Sequence, residues 1–208
     1  YPERAEVHIL DDEAATDISL IPELKEIQDL TMPKWQKLRK GNPCKMRYHN
    51  ITKDDMLNGD GLRAVLWVAG CTHKCKGCHN PVTWDIEGGI PFDDAAKEEL
   101  FEAIKPDYIS GVTFSGGDPL HPANHVEVAV LAKEIKETFP NKTIWLYTGF
   151  CWDEIKTLDV VKYCDVIVDG PFVQEEFDGK LHWKGSKNQR VIDVQETLRR
   201  KEIVLCEF

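Results

Sequence analysis

Within the run Cys71-Thr-His-Lys-Cys75-Lys-Gly-Cys78-His-Asn, three cysteines and two histidines share one loop-length segment. Three thiolates are soft ligands suited to zinc or to an iron–sulfur centre, and the C-x3-C-x2-C spacing folds readily around one site. Two chemistries fit. In the first, His73 or His79 completes a zinc knuckle, a closed structural site. In the second, Cys71, Cys75 and Cys78 hold a four-iron cluster whose remaining iron has no protein ligand and stays open to a substrate or cofactor. Cys44, Cys151, Cys164 and Cys206 are scattered and show no second ligand group. That distribution suggests one metal centre plus free thiols rather than a disulfide framework.

Three further motifs contain residues able to contact a bound molecule. Ser115-Gly116-Gly117-Asp118-Pro119 is a tight turn in which glycines let the backbone approach a ligand closely, while Asp118 either caps the turn or meets a cation. Thr148-Gly149 and Asp169-Gly170-Pro171 are strand ends or contact points. His121 invites a catalytic role because histidine titrates near neutrality, but a loop histidine satisfied by backbone is the expected reading.

The elements that must position these motifs alternate along the chain. Leu62 to Ala69 is a nearly continuous apolar run, as expected of a strand buried on both faces. Asp93 to Ile104 reads as a helix with Asp93 or Asp94 as N-cap, and Asn124 to Phe139 as a longer amphipathic helix stopped by Pro140. Ile109 to Ser115, Thr143 to Thr148 and Val166 to Val168 read as strands, with a short helix from Asp153. This βαβαβαβ order predicts an α/β fold with a parallel sheet and helices packed outside it. Such sheets carry their chemistry at the carboxyl ends of the strands, so the cysteine run, the Gly116-Gly117 turn and Thr148 are expected on one rim.

Residues 1–45 stand apart as an extension of unknown role, with an acidic patch at Asp11-Asp12-Glu13, an amphipathic stretch from Leu20 to Leu30, a basic run from Lys34 to Lys40 and turn chemistry at Gly41-Asn42-Pro43. A boundary is expected near Lys45, and the extension reads as a fused piece, a linker or an upstream start. The chain of 208 residues carries a formal charge of −10, with 42% hydrophobic and 30% charged residues. It therefore reads as one folded domain with an appendage. No segment has the ~20 apolar residues needed to cross a bilayer, and the N-terminus lacks a leader pattern. The expectations are a cytoplasmic location, no membrane and no nucleic-acid partner.

The cysteine run after the first strand resembles the signature of the radical S-adenosylmethionine enzymes. Within that superfamily the chain is similar to the anaerobic ribonucleoside-triphosphate reductase activating proteins. The likeness runs in order through Asn58-Gly-Asp-Gly61 with Arg63, Gly70-Cys71, Cys78-His-Asn80, Thr83-Trp84, Phe114 to Pro122, Trp145-Leu-Tyr-Thr-Gly149, Val168 to Phe172 and Trp183 to Arg190. The resemblance implies a partial (βα) barrel over residues 46–208 and a [4Fe-4S] cluster on Cys71, Cys75 and Cys78. It further implies S-adenosyl-L-methionine held near Gly77, Cys78, His79, Gly116, Gly117, Asp118 and Thr148. The implied reaction is one-electron cleavage of that cofactor to a 5′-deoxyadenosyl radical, which takes a hydrogen atom from a glycine of the reductase's glycyl radical subunit. An electron donor such as reduced flavodoxin or ferredoxin is implied too, and His182, Trp183 and Arg190 are expected to face the reductase. Many members of the superfamily place an aromatic residue before the third cysteine, whereas this chain has Gly77, so adenine contacts must come from backbone near Gly77 to His79 or from another strand. The rival functions are activation of a different glycyl radical enzyme, such as pyruvate formate-lyase, and a zinc-stabilised interaction module without catalysis.

Overall fold

The computed structural model describes residues 46–207. The readings made on residues 1–45, Cys44 among them, lie outside these residues. One seven-stranded sheet, in the order β3-β1-β2-β4-β5-β6-β7, organises the fold. Its strands are β1 (Arg47–Asp55), β2 (Arg63–Val68), β3 (Ile90–Pro91), β4 (Gly111–Gly116), β5 (Thr143–Tyr147), β6 (Val166–Asp169) and β7 (Arg190–Asp193). The helices are α1 (Asp94–Ile104), α2 (His125–Thr138), α3 (Trp152–Ile155) and α4 (Val194–Arg200).

The helices form where residue spacing and caps allow. Asp93 has extended backbone, and its carboxylate accepts the Ala96 amide at 3.0 Å, fixing the start of α1. Ala96, Leu100 and Ile104, each one turn apart, are buried along one stripe of α1. In α2 the stripe is Val128, Leu131, Ala132 and Ile135, and Pro140 follows directly after the Phe139 cap.

The four central strands β2, β4, β5 and β6 are parallel, as the βα alternation predicts. The flanks correct the expectation of a parallel sheet. β1 lies antiparallel against β2 and β3, and β7 lies antiparallel against β6, so the sheet is mixed and does not close on itself. The physical reason is connection type: a parallel neighbour needs a crossover, usually an α-helix, and the β1–β2 and β6–β7 connections contain none, the second holding only a 3-10 turn at Gln174–Glu176.

Strand alternation divides the sheet into two chemically different faces. Ala64, Leu66 and Val68 of β2, Phe114 of β4 and Leu146 of β5 share one core with residues of α1 and α2. Burial of this face against helices supplies most of the apolar driving force. The opposite face carries Arg63, Trp67, Thr113, Ser115, Trp145 and Tyr147, and among the described residues only a small cluster of Trp145, Val168 and Val191 with Trp183 covers part of it. Among the described residues the long helices thus lie on one side, and the other side carries a cleft.

Candidate cofactor cleft

The cleft opens at the carboxyl ends of the parallel strands and measures about 310 Å³. Cys71, Cys75 and Cys78 line it together with Ser115 to Asp118, Thr148, Gly149 and Gly170. The expectation that the strand-end motifs share a rim is therefore met. His79 and Asn80 line it too, whereas Gly77, at φ 74°, lies at the loop's outer turn, where an added Cβ would come within 2.8 Å of the Gln174 side chain.

The backbone explains how the cysteine loop is held. The Gly70 amide donates to the Thr83 carbonyl at 2.8 Å and the Cys71 amide to the Trp84 carbonyl at 3.1 Å. The Cys78 amide reaches the Cys75 carbonyl, and the Asn80 amide donates to the Cys78 sulfur at 3.3 Å. All three thiols are partly exposed in the cleft. Burial pushes the Cys71 thiol up, an effect that the His73 amide partly offsets. Among the described residues no three His, Cys, Asp or Glu side chains are gathered around a single ion-sized point. Cys151, Cys164 and Cys206 are free as well.

The two candidate fourth ligands of a zinc knuckle sit differently in the loop. His73 Nε2 lies 2.8 Å from Asp118 Oδ2, and its ring meets Phe150 edge-on at 4.5 Å. That hydrogen bond holds the His73 pKa above its ordinary value against the opposing effect of burial. His79 packs against Phe172 at 5.5 Å and Phe177 at 5.9 Å.

Asp118 is 2% exposed and accepts from Leu120, Thr148, Gly149 and His73. Thr148 is likewise buried, donating to Asp118 and accepting the Phe150 amide. The turn at Gly116-Gly117 presses on the cysteine loop, since a Cβ on Gly117 would fall 2.5 Å from the Gly70 carbonyl oxygen. His121 behaves as a loop histidine, its Nδ1 accepting the Ala123 amide at 3.2 Å.

Residue types alone did not bring Asn58, Trp67, Tyr147, Phe172, Gly185 and Gln189 to the cleft, yet all six line it. Trp67 and Tyr147 follow from strand alternation once the open face is known. Gly185 and Gln189 come from the segment read as facing a partner. Gln189 accepts from the amides of Gly185 and Ser186 and donates to the Gly170 carbonyl, folding that segment over the rim.

Comparison with known proteins places this arrangement. Residues 57–192 match the sequence family described as a 4Fe-4S single cluster domain. An anaerobic ribonucleoside-triphosphate reductase-activating protein from Enterobacteria phage T4 is 44% identical over 146 residues, spanning 70% of this chain and 93% of its own. Proteins of the same name from Haemophilus influenzae and Escherichia coli are 40% and 41% identical over 148 and 150 residues, with 96% and 97% of their lengths covered. The chain belongs to this activating-protein family. In this member of the family the three cysteines, the double-glycine turn and Thr148 occupy one cleft on the sheet face opposite the helices of the described residues.

Proposed function

We propose that the protein is the activase of an anaerobic ribonucleoside-triphosphate reductase, a radical S-adenosylmethionine oxidoreductase that installs a glycyl radical on the reductase's glycyl radical subunit. The observation that carries this reading is the convergence of Cys71, Cys75 and Cys78 with Gly116, Gly117 and Thr148 on one cleft. The open sheet, helical on one face, is read as a partial barrel of the radical S-adenosylmethionine type, with residues 46–208 as the activase domain.

The donor set suits the cofactors. Three thiols face the cleft, and the cleft volume lies at the small end of the range for small-molecule sites. Cys71, Cys75 and Cys78 would hold a [4Fe-4S] cluster, whose chemistry when bound is to pass one electron to S-adenosylmethionine and release a 5′-deoxyadenosyl radical. Carbonyls at the Gly116-Gly117 turn would accept from the cofactor's ammonium, Thr148 would wall the ribose side, and the Cys78-His79 backbone with Phe172 would flank the adenine. The Cys78 sulfur keeps the Asn80 amide as a hydrogen-bond donor, which helps fix its orientation toward the cleft. The thiols are part-exposed, so the reductase's glycine loop is needed to exclude water and oxygen. Reduced flavodoxin or ferredoxin would act as donor, in the cytoplasm.

Anaerobic reconstitution tests the proposal. Wild type should take up about four irons with matching acid-labile sulfide. The electron paramagnetic resonance spectrum of the reduced protein should change on adding S-adenosylmethionine, and cofactor cleavage should accelerate when the reductase is present. Cys75→Ala should lose the cluster signal. Zinc uptake without sulfide would overturn the proposal.

A further inference from the structure

One buried carboxylate joins the three loops of the cleft. Asp118 Oδ1 accepts the Leu120 amide at 2.8 Å and the Thr148 hydroxyl at 2.9 Å, and Oδ2 accepts the Gly149 amide at 2.9 Å and His73 Nε2 at 2.8 Å. A carboxylate offers about four acceptor positions, so these donors saturate it. They come from the cysteine loop after β2, from Asp118's own turn after β4, and from the loop after β5. Bonds to an ionised acceptor inside the protein are among the stronger ones, because water does not compete for them.

His73 sits in a built seat. Its ring is bounded by Asp118, by the edge-on ring of Phe150 and by Gly149, where a Cβ would come within 2.4 Å of the imidazole. Only a residue without a side chain leaves room for it. Between Cys71 and Cys78, every other non-cysteine residue is exposed. His73, with its side chain 17% exposed, is therefore the anchor of this loop other than the thiols themselves.

We infer that His73 and Asp118 form a clamp that holds the cysteine loop in register with the Gly116-Gly117 turn and the Thr148-Gly149 turn, making His73 a positioning residue for the cofactor cleft. Asp118 then acts on the loops, with its acceptor positions already filled, and not as the direct partner of a ligand's ammonium. The functional consequence rests on the reading of the cleft as a cluster and S-adenosylmethionine site, but the clamp itself is a property of the protein alone.

The test uses the full chain, first metal-free and then reconstituted. Amide hydrogen exchange is followed by mass spectrometry on peptides covering 71–80 and 147–151 in wild type, His73→Ala and His73→Gln. His73→Ala is expected to speed exchange about 10-fold in both peptides, although residue 73 lies in only one. His73→Gln, whose side-chain amide keeps a donor near the Nε2 position, is expected to restore most of the protection. After reconstitution, His73→Ala should retain about four irons yet bind S-adenosylmethionine about 10-fold more weakly, with glutamine again the partial rescue. Faster exchange confined to 71–80, with 147–151 unchanged, would overturn the clamp. So would an affinity within twofold of wild type in a reconstituted protein. If wild type takes up no cluster, the functional proposal fails while the exchange experiment still decides the clamp. Thr148→Val approaches the carboxylate from the opposite loop and should loosen 71–80, so the question stays decidable even if His73→Ala does not fold.

Discussion

Arg63 is fully buried, and its five N–H groups all find neutral acceptors. Nε donates to Thr113 Oγ1 at 2.8 Å, one terminal nitrogen to the Asp60 carbonyl and Thr143 Oγ1, and the other to the carbonyls of Val112 and Thr143. The guanidinium also lies 5.4 Å from the centre of the Trp145 ring. Burial lowers its pKa to about 10, which still leaves it charged at neutral pH. Among the described residues no salt bridge supports it, so its stability contribution depends on saturated hydrogen bonding, and truncation leaves several acceptors unpaired in the interior. Arg63→Ala is expected to cost about 3–5 kcal/mol in denaturant unfolding, and Arg63→Lys, with a compact charge and three donors, about 1–3 kcal/mol. A loss below about 1 kcal/mol for alanine would show that water fills the site at little cost. In the sequence Arg63 stands next to the Asn58 to Gly61 motif, but its partners are mainly backbone carbonyls, which no residue pattern records. Asp118 was hidden for a related reason: its turn-capping role was legible, but His73 as a partner 45 positions away was not.

At the scale of elements, the cleft depends on close contact between the loops after β2 and β4. A Cβ on Gly117 would meet the carbonyl oxygens of Gly70 and Thr83 at 2.5 and 2.9 Å, and both belong to backbone that cannot rotate away. Gly117→Ala should therefore push the cysteine loop off the turn, lowering stability by about 1–3 kcal/mol and weakening S-adenosylmethionine binding more than about tenfold. Thermal melting and equilibrium binding read the two effects separately, and unchanged affinity would mean that the turn does not position the ligand. The four parallel strands and the two long helices were legible because their apolar runs are continuous or fall on a helical period. The flanking strands were not. β1, Arg-Tyr-His-Asn-Ile-Thr-Lys-Asp-Asp, buries only Tyr48 and Ile51 and otherwise presents polar residues. β7 is four residues long and follows a loop of about 20 residues with no α-helix, so its antiparallel direction leaves no βα signal.

For the whole molecule, the division of the chain near Lys45 is the remaining structural expectation. The relatives from phage T4, Haemophilus influenzae and Escherichia coli align over 93–97% of their own lengths with only 69–70% of this chain, so their activity requires no counterpart to the rest. At the start of the described residues, Met46 is 1% exposed, its amide donates to Glu127 Oε2 at 2.5 Å, and its carbonyl accepts the Phe92 amide at 2.7 Å. β1 follows at once and pairs along β2, so all seven described strands lie from Arg47 onward. A chain beginning at Met46 would place a new ammonium group beside Glu127, preserving this contact as a charge-assisted bond. Residues 46–208 are therefore expected to fold on their own, with a melting temperature within about 4 °C of the full chain, equal to a change of about 1 kcal/mol or less. Cluster content and the spectral response to S-adenosylmethionine should be retained. A much larger drop in melting temperature, or loss of the cluster on truncation, would make the first 45 residues part of the activase itself.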